Sequence, residues 1–279
     1  MSFKRTIIFY FFLLIAVHAS AQKNTTRYQE FGIFLGGSYY IGDLNRAHLN
    51  SLTQPAGGVV YRYNFNPRFD IKANLLFGSV KGDDSQSGVP SQVTRNLSFK
   101  SPITELAAEF EFNFLEYTLG NTKTPFTPYV FAGVAGFRFN PQGQIGDNYF
   151  NLQPLGTEGQ GTVLNSSKRY KLMQISAPFG LGIKASISKM IGVSLEWGWR
   201  KTFTDYIDDC SKTYVDPVQL TALSGPSAAY FSDPSLVADH TANIGKQRGN
   251  SRTKDWYSFA GIMITFKLRA KAMKCYSYN

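Results

Sequence analysis

Long segments in which apolar and polar residues alternate constrain the fold of this sequence most. From Thr104 to Phe114, the residues of one parity are apolar apart from Thr104 itself. The residues between them are Glu105, Ala107, Glu109, Glu111 and Asn113. Because successive side chains of a strand point to opposite faces, this pattern predicts a strand with one apolar and one largely polar face.

The same alternation recurs along the chain and predicts about eight antiparallel strands. Their approximate bounds are 31–41, 58–65, 69–78, 104–114, 129–139, 174–185, 191–200 and 256–268. Most of them run for about ten residues or more, whereas strands of soluble sheets average about 5–6 residues. A soluble sandwich also alternates, but the strand length and the Trp and Tyr residues near strand ends favour a membrane barrel.

The connections between these strands alternate in length. The gaps near 43–55, 81–100, 140–170 and 202–254 are long. The turns at Asn66-Pro67, 116–127 and Ser188-Lys189 are shorter. Outer-membrane barrels have short periplasmic turns and long extracellular loops, so we expect both termini in the periplasm.

Composition supports a membrane barrel with an all-β fold. Aromatic residues make up 15% of the chain and charged residues only 17%, against about 25% charged in a typical soluble protein. The mean hydropathy is nevertheless −0.20. Past the first residues the sequence has no apolar run of the about 18 residues that a membrane helix needs. A closed antiparallel transmembrane barrel satisfies all its backbone groups without such a run.

The first residues predict export. Lys4 and Arg5 precede an apolar stretch, and Ala19-Ser20-Ala21 is a typical cleavage site, so we predict a signal peptide over 1–21. An uncleaved anchor is the alternative. We predict the barrel over 22–268 and a basic periplasmic tail over 269–279. The net charge is +10, but no clustered basic face or motif indicates a nucleic-acid partner.

Charged residues recur on the inward parity of the predicted strands. They are Arg62, Asp70, Lys72, Glu105, Glu109, Glu111, Arg138, Lys184, Glu196 and Arg200. Buried charges must pair or meet water, so the interior is either a charged pore or a salt-bridged core. An eight-stranded barrel is only wide enough for its own side chains. We therefore predict the salt-bridged core.

Residues for catalysis are sparse. His18 belongs to the predicted signal peptide, whereas His48 and His240 fall in predicted external loops. A lipid hydrolase on the barrel rim would need one of these histidines beside a nucleophile and an acid. The sequence has no G-x-S-x-G motif, so we predict no catalytic residue, no cofactor and no small-molecule substrate.

Four aspartates cluster in the last long loop, at Asp205, Asp208, Asp209 and Asp216. Carboxylates at such spacing could hold Ca²⁺. Aspartates also cap turns by accepting hydrogen bonds from nearby backbone amides. Because the spacing matches no EF-hand or nonapeptide repeat, we favour the caps and predict no metal site.

The two cysteines lie at opposite ends of the predicted barrel. Cys210 is in an external loop and Cys275 is in the tail. A bilayer core of about 30 Å separates the two ends, and a disulfide needs Cα atoms within about 7 Å, so we expect no bond between them. Lys271, Lys274 and Cys275 are available to a periplasmic partner. The alternative is a charged stop after the last strand.

Several segments resemble one family of outer-membrane proteins. The segments are Gly36–Asn45, Tyr61–Phe69, Thr204–Asp209, Tyr214–Asp216, Gln247–Asn250 and Asp255–Tyr257. In this order they resemble the PorG-like barrels of the type IX secretion system of Bacteroidota. The segments 81–100 and 140–170 contribute nothing to the resemblance.

The resemblance implies a non-enzymatic role. PorG-like barrels associate with a periplasmic ring that contains the lipoprotein PorK and its partner PorN, and the machinery supports protein export and, in some relatives, gliding. The resemblance therefore implies PorK/PorN-like partners and contact with outer-membrane lipid, and it assigns no catalytic residues. The alternative is a generic small barrel similar to OmpA or OmpW proteins, acting as a minor channel or envelope structural protein.

Overall fold

A computed structural model describes residues 27–44 and 52–268. The predicted signal peptide 1–21, the tail 269–279 with Lys271, Lys274 and Cys275, and His48 lie outside the described residues. The predictions made for them stay predictions.

Eight long antiparallel strands of the described chain close into a barrel. They are β1 (Tyr28–Ile41), β2 (Gln54–Asn64), β3 (Phe69–Asp83), β4 (Ser98–Asn113), β5 (Phe126–Phe139), β8 (Met173–Ser186), β9 (Ile191–Thr202) and β10 (Trp256–Leu268). Each strand pairs with its neighbours, and β1 pairs with β10 from Gln29 opposite Leu268 to Ile41 opposite Trp256. The predicted all-β barrel of about eight strands is therefore confirmed.

Apolar side chains cover the outside of the barrel wall. Leu106, Val134 and Ile175 are each exposed over more than 60% of their surface. On β3 the outward apolar residues run from Phe69 to Phe77, which is about 27 Å of strand. At the usual tilt of about 40° this gives a height of about 21 Å, close to the apolar band of membrane barrels. We call this band the apolar belt.

Several strands are longer than predicted, and the largest extensions lie at the long-loop end of the barrel. β3 continues to Asp83 and β4 starts at Ser98, so the loop between them is shorter than the predicted 81–100. These extensions rise above the apolar belt, where the outward residues become polar. The hydrophobic alternation that marks a strand therefore ends before the strand does.

Arg138 was predicted to face the interior, and this is wrong. On β5 the residues Tyr129 and Phe131 are buried inside the barrel, whereas Arg138 is exposed on the outer wall. Tyr129 and Phe131 face inward, where each ring covers a buried lysine ammonium group. Arg138 lies near the end of its strand, where a long side chain reaches water at the belt's edge.

The connections alternate in length as predicted. The short turns span 65–68, 114–125 and 187–190, and with both described chain ends they form the short-turn end. The long connections span 42–53, 84–97, 140–172 and 203–255 and form the opposite, long-loop end. Asn66 closes the first short turn by accepting hydrogen bonds from the backbone N–H groups of Arg68 and Phe69.

The long loops 84–97, 140–172 and 203–255 are folded rather than irregular. They contain the hairpin of β6 (Gln142–Ile145) and β7 (Asn148–Asn151), which extends the sheet beside β4. They also contain the helices α1 (Pro90–Arg95), α2 (Leu152–Leu155), α3 (Pro217–Ser224) and α4 (Pro226–Ser232). Two short 3₁₀ turns span Asp84–Gln86 and His240–Asn243. Within the described ranges, every helix is too short or too polar to cross a membrane.

Candidate functional site

The interior of the barrel is filled by charged side chains. Arg62 on β2 donates from Nε to Glu111 Oε2 at 2.8 Å and from Nη1 to Glu30 Oε2 at 3.1 Å. Lys184 on β8 lies 2.6 Å from Asp70 Oδ2 and 2.5 Å from Glu111 Oε2. All five side chains are buried, and each charge has a neighbouring side chain of opposite charge.

A second cluster lies nearer the long-loop end. Lys72 Nζ is 2.9 Å from Glu109 Oε2 and also binds Glu196. Arg200 Nε lies 3.2 Å from Glu105 Oε2. Tyr257 on β10 donates its hydroxyl to the same Glu105 oxygen at 2.6 Å. The ion pairs therefore join strands on opposite walls.

Aromatic rings occupy the remaining interior space around the cations. Lys72 Nζ lies 4.4 Å from the Phe131 ring centroid, and the Arg200 guanidinium lies 4.9 Å from that of Phe259. Such cation–π contacts stabilise a desolvated charge. The predicted salt-bridged core is thus present, with nine of the ten predicted inner charges buried and Arg138 outside.

Glu30 is an interior charge that sequence reasoning missed. It is 1% exposed and pairs with Arg62. The predicted first strand begins at Phe31, whereas β1 begins at Tyr28. The sequence could have indicated it, because Glu30 has the same parity as Gly32 and Phe34 on the non-apolar face of the predicted strand.

The turn 114–125, which we call the turn plug, covers the barrel opening at the short-turn end. Tyr117 and Leu119 are 3% and 2% exposed. Leu119 N donates to Tyr28 Oη on β1 at 3.0 Å, and its carbonyl accepts from Lys267 Nζ on β10 at 3.4 Å. Because β1 and β10 lie across the ring from β4 and β5, the turn plug spans the opening.

The long loops 84–97, 140–172 and 203–255 pack over the other opening, and we call them the loop cap. Arg248 is its buried centre: Nη1 lies 3.2 Å from Glu158 Oε1, and Nε donates to Ser232 O at 2.9 Å. Nη1 also donates to Asp209 O at 2.5 Å. One guanidinium thereby joins three separate stretches of loop.

Arg95 makes the corresponding links to the first two long loops. Its Nε and Nη2 donate to the two Asp84 carboxylate oxygens at 2.7 and 2.8 Å. Nη2 also donates to Asp43 O at 3.0 Å, and Nη1 donates to Arg248 O at 2.9 Å. Neither arginine was predicted as structural, because their partners are far apart in sequence.

The four loop aspartates accept hydrogen bonds, but only Asp208 and Asp216 accept from nearby backbone amides, as the sequence favoured. Asp205 and Asp209 accept from side-chain hydroxyls instead. Asp216 caps α3 by accepting from Val218 N and Gln219 N. Asp209 accepts from Tyr170 Oη at 2.6 Å and from Thr157 Oγ1 at 2.5 Å. Asp205 accepts from Ser211 Oγ at 2.7 Å.

Burial raises the pKa values of the Asp205 and Asp209 carboxyls. Burial raises the pKa of Asp205 to about 7, against the lowering effect of the Ser211 hydrogen bond. Burial raises the pKa of Asp209 to about 6, although the nearby Arg248 lowers it. Both carboxyls therefore bind protons more tightly in the folded loop cap than in an unfolded chain.

Asp208 and Asp255 share one donor at the base of the loop cap. Tyr40 Oη lies 2.7 Å from Asp208 Oδ2 and 2.8 Å from Asp255 Oδ1. A single hydroxyl proton serves only one of them at a time. Because burial also raises the pKa of both carboxyls well above the usual range, we expect one of them to carry the second proton.

Asp43, Asp208 and Cys210 place potential metal-ligand atoms within 4.8 Å of one another. These atoms already have protein partners. Asp208 Oδ1 accepts from Cys210 N at 2.9 Å, and Cys210 Sγ donates to Arg248 O at 3.1 Å. Asp43 Oδ2 accepts from Asn250 N. The arrangement is accounted for by hydrogen bonds of the loop cap.

Cys210 is an unpaired, buried thiol. Burial raises its pKa well above the usual range, so it stays protonated. His240 lies in a 3₁₀ turn with Nδ1 3.2 Å from Asp233 Oδ2. In the described residues no hydroxyl is hydrogen-bonded to the ring, so the structure brings no nucleophile to His240.

An apolar belt outside, ion pairs inside and covered openings at both ends define a transmembrane β-barrel of the outer-membrane class. The chain belongs to the family described as a domain of unknown function, DUF6089, which matches residues 4–221. Among curated proteins, no relative matches it.

Solved structures of small bacterial barrels are similar in fold. The N-terminal β-barrel domain of Pseudomonas aeruginosa OprF is 12% identical, with a TM-score of 0.36 over 87% of this chain and 100% of that chain. Yersinia pestis Ail is 8% identical, with a TM-score of 0.41 over 87% and 99%. Neisserial surface protein A is 7% identical, with a TM-score of 0.39 over 88% and 100%.

Proposed function

We propose that this protein is a non-enzymatic component of a type IX secretion machinery in the outer membrane of a Bacteroidota-like bacterium. In this role it anchors a periplasmic ring of PorK/PorN-like proteins to the membrane, and it supports protein export and, in motile cells, gliding. The short-turn end faces the periplasm, and the loop cap faces outward.

The observation that carries the proposal is where the PorG-like segments meet. Tyr40 from the first segment contacts Asp208 and Asp255 from two later ones. Arg248, from another, binds the backbone of Asp209. Segments that are distant in sequence therefore build one unit, the base of the loop cap. This supports reading them together as one family pattern.

The filled interior supports an anchoring role over a conducting one. Lys72, Lys184 and Arg200 occupy the middle of the barrel with their carboxylate partners. The turn plug and the loop cap cover the two openings. A rigid, closed barrel is suited to holding a partner at the membrane.

The short-turn end supplies a surface for that partner. Lys123 and Lys189 are exposed there, with Arg68 partly exposed beside Glu116. The last strand ends at the same end with Leu268, and the tail 269–279 follows in sequence. We propose that Lys271, Lys274 and Cys275 contact the ring, with Cys275 available for an intermolecular disulfide.

Deletion of the gene tests the proposal. We expect export of cargo that carries the type IX sorting domain to stop, and the tagged protein to co-purify with periplasmic ring proteins from solubilised outer membrane. Normal export in the deletion strain would leave the alternative, a generic OmpA/OmpW-like barrel.

Charge reversal tests the tail. We expect the variant Lys271→Glu with Lys274→Glu to lose the co-purified ring, because an acidic partner surface would then repel the tail. Lys168→Glu, an exposed change in the loop cap, is the matched control and should retain the ring. Retention by the tail variant would move the contact to the short turns.

A further inference from the structure

Two lysines stand side by side on the outer wall, just above the apolar belt. Along β3 the outward residues change from Phe77 to Lys81, and along β4 they change from Leu106 to Lys100. In the antiparallel register Lys81 lies directly opposite Lys100. Phe77 and Lys81 are about 13 Å apart along the strand.

The lysine pair is only partly neutralised. Like charges directly opposite one another destabilise a sheet. Lys81 Nζ lies 3.7 Å from Asp83 Oδ2, but Asp83 also accepts from Ser85 Oγ at 2.6 Å and from Gln86 Nε2 at 3.0 Å. Lys100 Nζ faces the Tyr149 ring at 6.0 Å. Among the described residues, no carboxylate forms an ion pair with Lys100.

A cavity of about 320 Å³ lies at this lysine pair, under the β6–β7 hairpin. Gln142 and Gln144 line it and use their amide nitrogens to bind Asn151 Oδ1 and Gly146 O. Among the described residues no donor is hydrogen-bonded to either amide oxygen, so both oxygens are available as acceptors. Tyr149, which is 53% exposed, supplies an aromatic face.

We propose that this wall site, made of Lys81, Lys100, Gln142, Gln144 and Tyr149, binds the phosphorylated sugar headgroup of a membrane glycolipid. The phosphate lies between the two ammonium groups, where its charge relieves their repulsion. The glutamine oxygens accept from sugar hydroxyls, and the Tyr149 ring packs on the sugar. Arg138, on the outer face of the next strand, adds a third cation at the edge of the belt.

The position of the site favours a lipid over a free anion. The site is continuous with the apolar belt below it, so acyl chains of a bound lipid would lie along Phe77 and Leu106, which are 51% and 64% exposed. Lipid binding at this site is independent of the secretion role and requires only that the loop cap faces outward. In detergent the binding can be measured without any secretion partner.

Native mass spectrometry of the purified, detergent-solubilised protein tests the site with lipid A as the probe. We expect the wild type to retain lipid A and the double variant Lys81→Glu with Lys100→Glu to bind it about tenfold or more weakly. The variant Lys81→Arg with Lys100→Arg should keep binding, because it keeps both charges. Heat-modifiable electrophoretic mobility confirms that each barrel is folded.

Lys201→Glu is the matched control, because Lys201 is exposed on the opposite wall and stacks on Trp256. This variant should bind lipid A as the wild type does. An equal loss of lipid A binding in this variant would show that the attraction is unspecific, and it would overturn the proposed site. Equal binding of dephosphorylated lipid A would also overturn it, as would displacement of lipid A by inorganic phosphate at similar concentrations. Loss of ring co-purification, by contrast, would leave this binding unaffected.

Discussion

Arg248 contributes most, among the described side chains, to joining the long loops. It is 2% exposed and bonds to Glu158 and to the carbonyl oxygens of Asp209, Phe231 and Ser232. We expect Arg248→Ala to destabilise the loop cap by about 3–5 kcal/mol, because it leaves Glu158 as an unpaired buried charge. Limited proteolysis of folded protein should then cut within 203–255.

Arg252 provides the control for this prediction. It is exposed, and its backbone N–H accounts for its hydrogen bond to Asn250. Arg252→Ala should therefore leave proteolysis of the loop cap unchanged. Resistance of the Arg248→Ala protein would mean that the aromatic contacts of the loops hold the cap without the guanidinium.

Asp205 makes the stability of the loop cap depend on pH. Its folded pKa of about 7 lies above the ordinary value of 3.8, so the folded state binds more protons than the unfolded state between these values. Stability therefore falls as pH rises from about 4 to about 7, and it is constant above. Asp209, with a folded pKa of about 6, adds to the same slope.

Hydrogen exchange in 205–211, corrected for its intrinsic pH dependence, measures this effect. Protection should be greater at pH 5 than at pH 8, and Asp205→Asn should flatten the difference and raise protection at pH 8. Asp239→Asn is the control: it is exposed and its carboxyl pKa is lowered by hydrogen bonds from Thr241. An unchanged slope in Asp205→Asn would contradict the prediction.

At the scale of single residues, the sequence predicted the interior charges well. Glu105, Glu109 and Glu111 alternate with outward apolar residues, and alternation reports the facing of a side chain directly. The prediction for Arg138 was wrong because β5 carries bulky residues on both faces. The sequence therefore did not show which face of β5 points inward. The roles of Arg95 and Arg248 depend on contacts between distant loops, which no local pattern reports.

Among the elements at the short-turn end, we expect the turn plug to contribute most to the stability of the barrel. Leu119, within this turn, is 2% exposed. We expect Leu119→Ala to lower the free energy of unfolding by about 2–4 kcal/mol, because it leaves a cavity below the turn. Urea unfolding in lipid vesicles, followed by tryptophan fluorescence, measures this change.

Thr122, exposed in the same turn, is the control position. Thr122→Ala should change the free energy of unfolding by less than about 0.5 kcal/mol. Equal stability of Leu119→Ala and the wild type would show that the turn only lies over the opening without packing into it.

The strands were predictable as elements and the folded loops were not. The part of a strand that crosses lipid must alternate, as β4 does from Leu106 to Asn113. The β6–β7 hairpin and the four helices are short, and their positions follow from packing against one another. The turn 114–125 was expected to be a simple connection, because nothing local shows that it folds back across the opening.

For the whole molecule, the filled interior predicts that the barrel does not conduct. Wild-type protein in planar bilayers should show no reproducible single-channel steps, because ion pairs and rings occupy the space between the turn plug and the loop cap. Insertion is verified by protease protection of the same preparation in vesicles. Reproducible steps would favour the alternative of a generic channel.

The ion pairs across the barrel also have a consequence for assembly. Tyr257 belongs to the last strand of the chain, yet its hydroxyl completes the coordination of Glu105 beside Arg200 on the far wall. Before β10 joins β1 the strands form an open sheet whose inner face is in contact with water. We therefore expect closure of the seam to bury these charges in the same step that completes the wall.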